Sequence, residues 1–191
     1  MTTFMTTFLS LYAAAAALID RLAGTWLMPT LARIVFAGTL LIYYWGSALT
    51  KLGDGIFGFV VPSTGAYIQI FPKAVEAAGY DISQLGFLHW IVVLAGTYAE
   101  FLLPVLIAVG LFTRAAALGM AGFVVVQSYV DITGHGLGAK DIGAWFDRDP
   151  SSLILDQRAF WLFLLILLVV RGAGPLSADR FLFRATDKAA A

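Results

Sequence analysis

Hydrophobic residues along this chain gather into four long runs separated by mixed or polar stretches. A bilayer's hydrocarbon core takes about 20 apolar residues of helix to cross, so runs of this length read as membrane-spanning helices. The first extends from about Leu27 to Leu49 and the second from Phe87 to Leu111. The third, Ala115 to Thr133, follows a tight turn at Phe112-Thr113-Arg114, and the fourth covers residues 153–172 around an apolar centre from Ala159 to Val170. That centre is short, so Asp156 and Arg158 are expected to snorkel at one interface and Arg171 at the other. Trp26, Trp45, Trp90 and Trp161 fall near run ends, where an aromatic belt sits.

The stretches outside the runs are patterned too. Phe4, Phe8, Leu11, Tyr12, Ala15, Leu18, Ile19 and Leu22 recur at helical spacing, with Thr7, Ser10, Asp20 and Arg21 elsewhere, which predicts a helix over 4–22 lying on the membrane surface. A cleaved signal peptide is the rival, but no positive charge precedes the apolar part. Residues 53–86 contain Ile56, Phe57, Phe59, Val60, Tyr67, Ile68, Ile70 and Phe71, too apolar a set for open water. Within them, Pro72 to Gly79 reads as a short helix opened by proline and closed by glycine. Residues 134–157 place Ile142, Trp145 and Phe146 among charges in the same way. Both segments read as outer loops that either cap the bundle or rest on headgroups. The expected fold is an all-α membrane protein: a four-helix transmembrane bundle with an N-terminal amphipathic interfacial helix and two outer capping loops, forming a single membrane domain over 1–191.

Composition narrows the function. Sixty per cent of residues are hydrophobic and 13% charged, with mean hydropathy +0.86, which is too oily for a water-soluble domain of 191 residues. Twelve basic residues balance twelve acidic ones, so no surplus exists to neutralise phosphates and no nucleic-acid partner is expected. Without cysteine there are no disulfides, thiolate metal sites or Cys-ligated iron–sulfur clusters. Arg21, Arg114, Arg171, Arg180, Arg184 and Lys188 flank the short connections and termini, whereas Lys51, Lys73, Lys140, Arg148 and Arg158 share the long loops with most of the acids. That bias puts both termini in the cytoplasm.

Helical phase sorts the polar residues inside the runs. Arg33 and Lys51 are eighteen positions apart, five full turns, and Tyr44 is eleven from Arg33, close to three turns. His89 and Glu100 share a face of the second run, and Gln127, Asp131 and His135 step by four along the third. Lipid does not solvate such faces, so they should converge inside the bundle. Depth matching of antiparallel neighbours puts Arg33 about 9 Å above Leu27 and Glu100 about 16 Å above Leu111, a gap a guanidinium can largely close. The expected core is therefore a buried Arg33–Glu100 pair, with Tyr44 or Gln127 completing its hydrogen bonds, acting as a proton relay or quinone contact or only fixing helix register.

At the outer mouth Lys51, His89, Asp131 and His135 fall at similar depth. Two histidines and a carboxylate are ligand types for Zn²⁺ or Cu²⁺, but no HxxxH or HxxE spacing supports a metal and none is assigned. His135, between Gly134 and Gly136, suits a turn equally well. Hydrogen bonding to quinone oxygens matches Lys, His and Asp better. Haem is not expected, nor is any phosphate loop, GxSxG nucleophile or HExxH present.

Leu31-Ala-Arg33-Ile-Val-Phe-Ala-Gly38 leading to Trp45-Gly46-Ser-Ala-Leu-Thr-Lys51-Leu52 resembles the first helix of DoxX-family membrane proteins. Thr97-Tyr-Ala-Glu100-Phe-Leu-Leu through Gly110-Leu-Phe-Thr113-Arg114 is similar to that family's glutamate-bearing helix and Gly-Leu-x-Thr-Arg turn. The resemblance covers about residues 30–136. It implies a four-helix protein of the bacterial cytoplasmic (inner) membrane, in a family some of whose members accompany thiosulfate:quinone oxidoreductase or oxidative-stress complexes. Arg33, Lys51, Glu100 and Arg114 match its pattern, without an established catalytic assignment, and the long outer loops exceed those of compact members. Three readings stay open: a quinone-linked redox subunit working beside other membrane redox subunits, a non-enzymatic membrane partner or assembly factor with a structural polar core, and a small transporter. Whether the chain is an enzyme stays open with them.

Overall fold

The computed structural model describes residues 2–182; Arg184 and Lys188 of the charge bias lie outside them, as does the side chain of Leu22. Among the described residues the chain is all helical apart from loops and one isolated antiparallel bridge between Leu52 and Pro62. Four helices are long and apolar enough to cross a membrane: α2 (Met28–Lys51), α5 (Phe87–Val109), α6 (Thr113–Thr133) and α8 (Leu153–Arg171). They run up and down in a ring, with α2 beside α5, α5 beside α6, α6 beside α8 and α8 beside α2. Phe36, Leu40, Tyr44, Ile107, Met120, Val124, Leu165 and Leu168 fill its centre. The outward faces are apolar as well, with Ile34, Leu88, Leu118, Val126 and Phe163 exposed. A surface of this kind is stable against acyl chains and not against water, so the chain is a multi-pass membrane protein.

Helix α1 (Thr2–Leu22) continues into α2 through a π-helical segment at Ala23–Leu27. Phe4, Phe8, Leu11, Tyr12, Leu18 and Ile19 are all exposed, so α1 keeps its apolar side free of the bundle. A second π segment, Ala37–Leu41, lies inside α2. The buried residues Phe36, Leu40, Tyr44 and Ala48 step by four, which in a straight α-helix drifts about 40° per step. The wider i→i+5 turn rotates the chain less per residue and takes up much of that drift. Arg33, Tyr44 and Lys51 are consequently all buried.

Between α2 and α5, Ser63 caps the short helix α3 (Thr64–Ile70) by accepting from the Ala66 N–H, and Pro72 opens α4 (Pro72–Ala77). Ala66, Tyr67 and Val75 form a small core of their own against Val93 of α5, and burial there pushes the Tyr67 phenol up from its ordinary pKa. Trp90 and Tyr98 of α5 donate to the Val60 and Phe59 carbonyls, so residues 53–63 lie along the outside of that helix. The later loop, with the single-turn helix α7 (Ala139–Ile142), packs on the start of α8, where Trp145 donates to the Leu155 carbonyl.

The opposite end is tied by one side chain. Arg33 Nε donates to the Ile107 carbonyl at 3.0 Å and Nη2 to that of Ala108 at 2.7 Å, while Nη1 donates to the Ala173 and Leu176 carbonyls. Four carbonyls from the end of α5 and the segment after α8 thus surround the guanidinium. A helix C-terminus leaves such carbonyls without intrahelical partners and carries partial negative charge, so a cation there is satisfied without a carboxylate. The close approach needs Gly110, which closes α5 at φ 77°; a Cβ there would stand 2.6 Å from Arg33 Cζ. Gly110→Ala should therefore lower stability by about 2 kcal/mol or more, read as a reduced Tm in detergent micelles. Gly122→Ala, with open space around its Cβ, should show no such loss.

Candidate functional site

Glu100 sits past the middle of α5, 3% exposed. Its partner is not Arg33 but Lys51: Nζ lies 2.8 Å from Oε2 and 3.1 Å from Oε1, and Lys51 is itself 4% exposed. The expected Arg33–Glu100 pair is absent because Arg33 is consumed by carbonyls at the far end, while the Lys51 side chain folds back along α2. Lysine side chains on a helix point toward its N-terminus, and the ammonium here reaches one turn back to the Ser47 carbonyl (3.3 Å) and hydroxyl (2.7 Å). Ser47 Oγ also lies 3.1 Å from Glu100 Oε1, closing a three-residue network. Pro104, four residues beyond Glu100, removes the N–H that would bond the Glu100 carbonyl and so loosens α5 at the site. Trp45 Nε1 donates to the adjacent Phe101 carbonyl, pinning α2 against that stretch.

The network forms one wall of a cavity of about 450 Å³ between α2, α5, α6 and α3. Gln127, Asp131 and His135 of α6 and its C-terminal turn supply the facing polar wall. The sides are apolar and small: Ala95, Gly96 and Ala99 from α5, Gly119 and Gly122 from α6. Val92, Ala95, Gly122 and Val126 are also exposed on the outer surface, so the cavity opens sideways between α5 and α6, toward the lipid. Gln69 and Ile70 of α3 close it from above, and His135 Nε2 meets the Gln69 carbonyl at 3.0 Å.

The remaining candidates fall differently. Tyr44 donates to Gln127 Oε1 at 3.3 Å, and Gln127 Nε2 donates to the Tyr43 hydroxyl at 3.4 Å, so these residues serve each other and not an Arg33–Glu100 pair. Tyr43, Tyr44, Phe123 and Trp161 form an aromatic cluster with centroids 5.0–6.4 Å apart, which draws Trp161 into the bundle. His89 does not line the cavity; its ring stacks edge-on with Phe71 at 4.8 Å, and its buried Nδ1 has no hydrogen-bond partner. Among the described residues no group of three or more His, Asp or Glu is placed to hold a metal ion.

Arg158 was expected to snorkel and does the reverse. It is 2% exposed, with Nη2 on Asp131 Oδ2 and Nη1 3.0 Å from Ser128 Oγ. The π-helical opening of α8, Leu153–Arg158, turns it inward, and Asp156 instead accepts from the Ser152 N–H at 2.9 Å. Arg158 is the functional neighbour that sequence reading missed: Arg158 and Asp131 belong to different runs, and only the polar stripe on α6 hinted that a cation must face it. Comparison with protein-family profiles, curated proteins and solved structures returns no match.

Breaking the buried Lys51–Glu100 pair by replacing either partner leaves an uncompensated charge and should cost roughly 3–5 kcal/mol. Lys51→Met with Glu100→Leu together should cost much less than the sum of the two. A double-mutant cycle on detergent-solubilised protein is expected to show strong Lys51–Glu100 coupling, against under about 0.5 kcal/mol for Arg33 with Glu100.

Proposed function

We propose that this chain is a DoxX-like protein of the bacterial cytoplasmic membrane, with both termini inside, and that it serves as a quinone-linked subunit of a redox complex. The observation that carries this reading is the cavity: a polar wall of Ser47, Lys51 and Glu100 faces Gln127, Asp131 and His135 across an apolar slot that opens sideways to lipid. A quinone is a planar ring with hydrogen-bonding oxygens at opposite edges and an apolar tail. Those oxygens suit the two polar walls, and the tail suits the gap between α5 and α6. Quinone reduction takes up two protons with two electrons; Glu100, Asp131 and His135 are groups that exchange protons, while the electrons come from a partner subunit.

A second reading has its own support. The Lys51 ammonium is satisfied by Ser47 and Glu100 without any ligand, as expected of a pair that only specifies how α2 packs on α5. The chain is then a membrane partner or assembly factor. Gly122 separates the two readings, because its Cβ position meets nothing within 4 Å and lines the cavity. Gly122→Leu should fill the slot while improving helix propensity by up to about 1 kcal/mol. Mass analysis of small molecules extracted from mildly purified protein is expected to find quinone in the wild type and to lose it in Gly122→Leu with Tm unchanged or raised. A wild-type preparation free of quinone, with a stable co-purifying chain, decides for the assembly role.

A further inference from the structure

The Arg33 end of the bundle carries a second cleft, of about 540 Å³, between the α5–α6 turn and the segment that follows α8. Arg114, Arg171 and Arg180 line it, with Thr113, Gly172 and Asp179. Asp179 is already engaged: its Oδ1 accepts from the Phe112 N–H at 2.6 Å and its Oδ2 from the Thr113 N–H at 3.0 Å, capping α6 from across the fold. Its backbone N–H donates to the Gly110 carbonyl at 2.8 Å, which fixes the segment in place. None of the three arginines has a carboxylate partner among the described residues, and all three are exposed. Arg114 lies against Gly172, where φ is 77° and a Cβ would approach its Nε to 3.3 Å. The guanidinium is therefore positioned by the backbone.

A second observation points to a missing ligand. Thr113 is fully buried, lines this cleft, and its hydroxyl has no hydrogen-bond partner. An orphaned hydroxyl inside a cleft of unpaired guanidiniums, beside the N–H end of α6, is what remains when an acceptor-rich anion is taken away. Guanidinium forks match the oxygens of a phosphate better than any other common biological anion except a carboxylate. Arg114 opens one span and Arg171 ends another, so both stand at headgroup depth, where phosphates of the surrounding leaflet are within reach.

We infer that this cleft binds a phosphate-bearing anion, the headgroup of an anionic phospholipid, through Arg114, Arg171, Arg180 and the Thr113 hydroxyl. The site is separate from the quinone reading and survives if that fails.

Delipidated full-length protein in detergent is titrated with short-chain phosphatidylglycerol, with phosphatidylcholine of the same chain length, and with inorganic phosphate, bound species being counted by native mass spectrometry. Phosphatidylglycerol is expected to bind at least about tenfold more tightly than phosphatidylcholine, and Arg114→Gln with Arg180→Gln to lose roughly thirtyfold of that affinity. Displacement by inorganic phosphate keeps the site and identifies the free anion as a ligand. Thr113→Val guards against misfolding of the arginine variant, since its hydroxyl holds no bond in the protein; it should bind roughly fivefold more weakly with Tm retained. Equal binding of the two lipids with no phosphate binding overturns the inference, and so does unchanged affinity in folded Arg114→Gln/Arg180→Gln or in Thr113→Val.

Discussion

An ammonium and a carboxylate held 2.8 Å apart join the first long helix to the second in a setting that offers no water to replace either partner. Removing a charge from water is costly, and the cost is recovered only where the protein supplies both the countercharge and the remaining hydrogen bonds. Ser47 supplies the latter, bonding to both Lys51 and Glu100. The arrangement fixes the rotation of α2, and with it the burial of Tyr44 and Ala48 and the position of the polar wall that the cavity needs. The small residues of α5 and α6 leave a slot beside it where larger side chains would have packed.

The buried cations meet this demand in different ways. Lys51 takes a carboxylate within hydrogen-bond reach, Arg158 a carboxylate and a hydroxyl from the third span, and Arg33 no carboxylate at all. Its five donors in a planar fork suit scattered carbonyls, where a lysine point charge could not serve so many acceptors. The two ends of the bundle are accordingly different. One is closed by backbone carbonyls and by Asp179 reaching across to cap α6; the other is sealed by the α3–α4 segment, whose own small core rests on Val93.

Much of the architecture was legible in the amino-acid order because lipid imposes a simple rule: four runs of sufficient length give four spans, with ends within a few residues of those expected. The shared polar face of Arg33, Tyr44 and Lys51 was legible for the same reason, since lipid forbids its exposure. Partner choice was not. Depth matching treated the helices as straight antiparallel rods, whereas α2 carries a π segment and α5 a proline, and both shift which residues stand level. It also assumed that a buried arginine seeks a carboxylate, although unpaired carbonyls at helix ends compete well for it. The Asp179 cap lies some seventy positions from its target, beyond any local motif, and Arg158 was hidden by a flanking charge pattern that usually marks an interface.

The π segment at Ala37–Leu41 has a consequence for how this helix tolerates change in length. It is in effect one extra residue looped into an otherwise regular rod, and everything beyond it inherits the offset. Deleting a single amino acid there would restore ordinary winding and swing the outer half by about 100°, carrying the Lys51 ammonium off the Glu100 carboxylate while leaving the Arg33 clamp where it is. The two ends of one continuous helix are thus indexed separately, and the bulge is the joint that lets each keep its own alignment.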